Sequence, residues 1–157
     1  MTPAMSNANE TVQRAQRFFE FIPHGRQLGL EVISWQPRSL LAKLPYRSEI
    51  VGNPYTGYIH SGALTVLVDQ TSGTAAILEL GAAETVATLD LRIDHLRPAK
   101  PGLPLYALAE CYRMTRDVAF VRCVCYDEDP ADPVATSMST FMRVRSRQAN
   151  ETEEGKA

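Results

Sequence analysis

The run GYIHSGALTVLVDQTSGTAAILEL, Gly57 to Leu80, limits what this chain can fold into more than any other stretch. From Gly62 onward it is long and apolar enough for a buried helix, and a helix that is apolar on most sides must be enclosed by other elements. The chain has 157 residues, the length of one domain, so its remaining segments have to supply the enclosure. Yet the run carries a carboxylate, Asp69, near its middle, where burying a charge is costly.

The rest of the sequence reads as the material for that enclosure. ETVQRAQRFFEFI has Val12, Ala15, Phe19 and Ile22 spaced to line one helical face. Pro23 ends it, because the residue before a proline avoids the helical region. Residues 1–9 and 148–157 are polar and are expected to be disordered, leaving a single domain over 10–147. LEVISW and SLLAKLPY form a hairpin around QPR, and RSEIVGNPYTG is a loop. Gly81 is placed to cap the long helix. TVATLDLRIDHL alternates, with Leu89, Leu91 and Ile93 on one face and Thr88, Asp90, Arg92 and Asp94 on the other. After the turn RPAKPG come LPLYALAECYRM, VAFVRCVCYDE and PVATSMSTFMRVR, joined by short turns that favour antiparallel pairing. The expected fold class is α+β, a curved antiparallel sheet wrapped around the long central helix.

Composition removes several function classes. A net charge of −2 gives no basic footprint for nucleic acid. The three cysteines, Cys111, Cys123 and Cys125, have no framework spacing and are expected to pack as small hydrophobes. His24, His60 and His95 lack metal-ligand spacing, so no metal site is expected. Ser61 lacks the G-x-S-x-G context of a nucleophile elbow. Neither a signal peptide nor a membrane span is legible, and a cytoplasmic location is the expectation.

At 3.6 residues per turn Asp69 shares a stripe with Gly62, Thr65, Val66, Ser72, Gly73 and Ala76, while Leu64, Leu67, Thr71, Ala75 and Leu78 lie on another side. The first stripe is small and polar and suits a crevice or a subunit interface. The bulky one suits the concave face of the sheet. At the start of the helix, near Ser61 and Gly62, first-turn N–H groups lack intrahelical partners and favour a partial negative charge such as a polarised carbonyl oxygen. Asp69 lies about 10–12 Å further along the axis. That is too far for both groups of one chain to grip one carbon, so the spacing favours a site shared with a second, antiparallel copy of the helix.

HSGALTVLVD resembles the His-Gly-Gly-to-Asp motif of hotdog-fold acyl-CoA thioesterases, in particular the phenylacetate-pathway (PaaI-like) branch of the 4-hydroxybenzoyl-CoA thioesterase superfamily. ATLDLRIDHLRPAKPG and VATSMSTFMR are similar to that branch's strand after the helix and to its last strand, so the likeness runs from about Gly29 to Arg145. It implies a homodimer, or a dimer of dimers, with acyl-CoA at the subunit interface and no cofactor beyond the coenzyme A of the substrate. Asp69 matches the general base or nucleophile, and the N–H of Ser61 matches the donor to the thioester oxygen. Thr88 matches a hydroxyl that places the water, Asn53 a loop asparagine, and His60 the motif histidine, which orients the loop. Gly62 falls in the substrate-binding turn, and Arg97 and Lys100 are candidates for the CoA phosphates. Two positions depart from the pattern: Ser61 stands where the first glycine of the pair belongs, and Asn53 sits one residue further upstream. Tyr55, Tyr58, Phe120 and the N-terminal helix are candidates for shaping the acyl pocket. The implied reaction is hydrolysis of an acyl-CoA thioester. A hotdog enoyl-CoA hydratase or dehydratase and a non-catalytic acyl-CoA-binding module are the alternatives.

Overall fold

The computed structural model describes residues 3–80 and 84–145. Helix α1 (Pro3–Phe21) begins ahead of the expected start at Glu10. Its first residues carry no apolar face for periodicity to detect, but proline is well suited to a first helical position. It ends where Pro23 requires: Ile22 is extended (φ −82°, ψ 111°), and a short helix α2 (Pro23–Leu28) follows. Ala15 and Phe19 are buried, with Val12 and Ile22 partly so, as the spacing predicts.

Strands β1 (Glu31–Gln36) and β2 (Ser39–Leu44) form the expected hairpin. The segment read as a loop contains more structure than its Gly-Asn-Pro content suggested. A 3-10 turn (Ser48–Ile50) leads into a two-stranded ribbon, β3 (Val51–Asn53) and β4 (Tyr58–Ile59), that delivers the chain to helix α3 (Ser61–Leu78). β5 (Glu84–His95), β6 (Leu105–Met114), β7 (Val118–Tyr126) and β8 (Ala135–Arg145) complete the fold. Six strands make one antiparallel sheet in the order β1-β2-β6-β7-β8-β5. The order leaves β5 paired on one side only, with β8, where the Arg143 guanidinium is bonded to the Glu84 carboxylate at 2.8–3.0 Å.

The sheet's inner face is paved with small side chains: Ala42, Ala107, Ala109, Ala119, Ala135, Cys123, Cys125, Ser137 and Ser139 are all buried. They let α3 approach closely, and Leu64, Leu67, Val68 and Thr71 fill the space between. All three cysteines are free and buried, and burial pushes the Cys123 thiol up to about 12, so they pack as the sequence predicts. Beyond Gln70, α3 is buried through Ile77 on every side, because α1 and α2 cover what the sheet does not. Gly81, expected as the cap, and the tail both lie outside the described residues; the α3 C-cap is Glu79, whose N–H bonds to Ala76.

Three β-bulges in the six-stranded sheet, which raise local twist, supply curvature. The extra residues are Ile33 in β1, Leu89 in β5 and Tyr112 in β6, and each is an exposed large hydrophobe. Among the described residues no helix is long and apolar enough to cross a membrane.

Candidate active site

The small stripe of α3 opens where the bulky one does not. Thr65, Val66 and Asp69 are only partly buried, and they face Val86, Thr88 and Leu91 of β5 across a cavity of about 480 Å³. Asp69 is thus neither in open solvent nor in the packed core. The Thr88 hydroxyl donates to its Oδ1 at 3.1 Å. Desolvation by the apolar walls holds the carboxyl above its ordinary value, partly offset by that hydrogen bond, which favours the charged form.

Thr88 reaches Asp69 because of a bulge. Strict alternation puts Thr88 on the face opposite Leu89, Leu91 and Ile93. Thr88 pairs with Phe141 and Asp90 with Thr140, so Leu89 is the extra residue. Thr88 and Leu91 then share the inner face, and Leu89 turns outward, 55% exposed. The expectation that Leu89 shares a face with Leu91 and Ile93, opposite Thr88, is therefore corrected. An apolar bulge residue gives no turn signal, so periodicity alone cannot find it.

The amino end of α3 is capped by His60. Its backbone is extended (φ −63°, ψ 133°), and its Nδ1 accepts the Gly62 N–H at 2.9 Å. This assigns two of the expected site residues. His60 positions the turn, and the Gly62 N–H is already used, so Gly62 has no backbone donor left for a ligand. A Cβ on Gly62 would lie 2.9 Å from His60 Nδ1, so the glycine makes room for the cap. Among the described residues the Ser61 N–H has no partner; the next first-turn N–H after Gly62, that of Ala63, bonds to His60 O. Ser61 is exposed and lies, at 1.5 Å per residue, about 12 Å along the axis from Asp69.

Asn53 is taken up by its own turn. Its Oδ1 accepts the Tyr55 N–H at 3.0 Å, and its carbonyl accepts the N–H of Gly57 at 2.9 Å. It does not line the cavity beside Asp69. Nor do Tyr55, Tyr58 or Phe120: Tyr55 is 97% exposed, and Phe120 packs against Tyr112. The aromatic contribution comes instead from Phe18 and Phe141, with Ile22 beside them, so of the expected pocket elements the N-terminal helix is the one that takes part. Phe18 sits one position off the buried face of α1, which is the signal that could have marked it.

Arg97 is held within the fold through both of its terminal nitrogens. Its Nη1 and Nη2 donate to the two carboxylate oxygens of Asp127 at 2.8 and 2.7 Å, and further to the carbonyls of Pro98 and Asp132. Asp127 also accepts the N–H groups of Lys100 and Glu128. The guanidinium holds the Asp127 carboxyl well below the usual range. This is a latch between the β5–β6 turn and the β7–β8 turn, and it leaves Lys100, exposed and paired with Glu128, as the nearer candidate for a phosphate. A shallow depression lined by Tyr58, Arg97 and Lys100 lies beside the strand that leads into α3. Asp127→Ala should cost about 2–3 kcal/mol in chemical denaturation, less than for a fully enclosed pair because water reaches Arg97. Since folding lowers this carboxyl's pKa, its contribution is present above the unfolded carboxylate value of about 3.9 and is lost as pH falls through the folded one.

Residues 56–134 match the Thioesterase superfamily. A Pseudomonas aeruginosa protein of known crystal structure is 42% identical and superimposes with a TM-score of 0.78, covering 85% of this chain and 99% of that one. The medium/long-chain acyl-CoA thioesterase YigI of Salmonella typhimurium is 27% identical over 81% of this chain and 89% of its own. The PaaI protein of the Escherichia coli phenylacetic acid degradation operon, 19% identical, shares the fold with a TM-score of 0.75 over 87% of this chain and 95% of its own.

Proposed function

The chain belongs to the thioesterase superfamily, and on that premise we propose that it hydrolyses acyl-CoA thioesters to the free acid and CoA at a site completed by a second copy of itself. The observation that carries this reading is the Asp69–Thr88 pair set in an apolar cavity between α3 and an edge strand. The Salmonella relative is a medium/long-chain acyl-CoA thioesterase, and the apolar walls of the cavity suit an acyl chain.

The second copy follows from two features. The twelve-residue β5 presents one unpaired edge, and pairing with another β5 is the direct way to satisfy it. The Ser61 N–H and Asp69 of one chain are too far apart to act on one carbon, whereas antiparallel copies of α3 bring Asp69 of one beside Ser61 of the other. The convex face of the sheet exposes Leu108, Met138 and Met142, which supports a further pairing into a dimer of dimers.

In the proposed cycle the thioester oxygen accepts the Ser61 N–H. Asp69 takes a proton from water, whose oxygen bonds to the carbonyl carbon, and Thr88 holds the carboxylate in place. The tetrahedral oxyanion collapses, the C–S bond breaks, and the CoA thiolate leaves and is protonated. Direct attack by Asp69, through a mixed anhydride that water then opens, uses the same groups. Lys100 offers a charge to the CoA phosphates near the mouth. Three buried free thiols fit a reducing, cytoplasmic setting.

Thiol release across saturated acyl-CoAs and phenylacetyl-CoA tests the reaction class. Free CoA with a matching amount of acid is the expected product. Hydration of an enoyl-CoA without thiol release would establish the hydratase alternative, and tight binding without turnover the binding module.

A further inference from the structure

The cavity beside Asp69 has walls of two kinds. Val66, Gly73 and Ile77 of α3, with Val86, Leu91 and Phe141 of the sheet, belong to the helix-and-sheet body. Phe18, Ile22 and His24 come from the corner where α1 turns into α2. The corner packs on α3 through one close contact. Gly25 is buried against the carboxamide of Gln70, and a Cβ there would overlap that group outright. The backbone at Gly25 has no left-handed φ, so glycine is needed for space and not for conformation. Gln70 is itself buried, and its Nε2 points to the Phe19 carbonyl at 3.5 Å. Gln70 follows Asp69 directly and also lines the cavity, at the side where α3 meets the corner.

We propose that this corner sets the length of acyl chain the enzyme accepts: Phe18 and Ile22 close the acyl pocket, and the Gly25–Gln70 contact fixes how far in they stand. The inference rests on the acyl-CoA reading of the same site. A cavity of about 480 Å³ is in the range of small-molecule pockets and much larger than a two-carbon acyl group needs, so the preferred substrates carry medium-length apolar chains. Phe18 and Ile22 determine specificity, Gly25 acts through them as a positioning residue, and Gln70 both positions the corner and forms part of the cavity wall.

The test is the acyl-length profile of kcat/KM, from acetyl- to palmitoyl-CoA, for wild type, Phe18→Ala, Ile22→Ala, Gly25→Ala, Gln70→Ala and the double variant Gly25→Ala/Gln70→Ala. One methylene in an apolar pocket is worth about tenfold or more in discrimination. Phe18→Ala and Ile22→Ala should each move the optimum to longer chains and raise the palmitoyl-to-butyryl ratio at least about tenfold. Gly25→Ala should move the optimum too, whereas in a Gln70→Ala background, where the cavity wall is already altered, adding Gly25→Ala should leave the profile unchanged, a loss of effect that simple destabilisation would not produce. Profiles of unchanged shape in Phe18→Ala and Ile22→Ala overturn the proposal. Binding of S-alkyl-CoA thioethers of the same lengths is read in parallel. If wild type releases no thiol but the thioether profile still moves with Phe18 and Ile22, the hydrolytic reading fails and the corner's role stands.

Discussion

Asp69→Ala lowers kcat/KM for acyl-CoA by about a hundredfold to ten-thousandfold, the largest single effect expected in this protein. General-base catalysis by a positioned carboxylate contributes about 10²–10⁴, and loss of a nucleophile costs no less. Asp69→Asn should fall as far, since the amide keeps the shape but cannot take a proton. Stability should move the other way. Folding raises the Asp69 pKa by desolvation, so the folded state binds the proton more tightly than the unfolded chain. Stability therefore declines as pH rises through the folded value, and the charged carboxylate weakens the fold above it. Asp69→Asn, free of that charge, should melt no lower than wild type at pH 7, with the difference shrinking on acidification. The rate has the opposite dependence. It needs the ionised form, so the acid limb of kcat/KM should lie above the ordinary aspartate value. Thr88→Val removes the one hydrogen bond that favours the ionised form and should push that limb higher. An acid limb unmoved by Thr88→Val would separate Asp69 from the proton transfer.

The second large effect is at a backbone atom. Ser61 is the first residue of α3, the position where proline is best tolerated, and His60 before it already holds the extended conformation that a following proline demands (φ −63°, ψ 133°). Ser61→Pro thus deletes one N–H and little else. The loss of an oxyanion donor costs about 10²–10³ in kcat, and that is the expected fall, with secondary structure and melting near those of wild type. Ser61→Ala, which keeps the N–H, should retain most activity. Equal losses in the two variants would place the contribution in the hydroxyl and refute the backbone role.

Much of this arrangement is legible from residue spacing. The apolar run fixes a central helix, its small stripe marks the side on which a carboxylate can be reached, and alternation after residue 84 fixes a sheet to enclose it. What escapes spacing has local physical causes. The Leu89 bulge shifts the inward face by one residue and so delivers Thr88 to Asp69, yet a leucine in a strand announces nothing. Arg97 has the right charge and location for a phosphate, but Asp127, thirty positions on in sequence, takes its guanidinium, and a contact between two turns leaves no periodic trace. Gly62 looks like a ligand-binding glycine because its role, clearing space for the His60 cap, depends on a rotamer. Asn53 is spent closing its own turn. Spacing starts the N-terminal helix only at Glu10, where an apolar face begins, and its part in the cavity comes from Phe18, just off the stripe that spacing picks out.

The most direct measurement uses the two inactive variants together. Asp69→Ala and Ser61→Pro chains, carrying different affinity tags, are co-expressed and the mixed dimer is isolated. If each site draws its carboxylate from one copy and its N–H from the other, one of the two sites in the mixed dimer is intact and the other carries both defects. The expected activity is then about half that of the wild-type dimer, from two parents that are each at least about a hundredfold impaired. A mixed dimer no more active than its parents would mean that Asp69 and Ser61 serve a site within one chain, and would contradict the shared site on which the account depends.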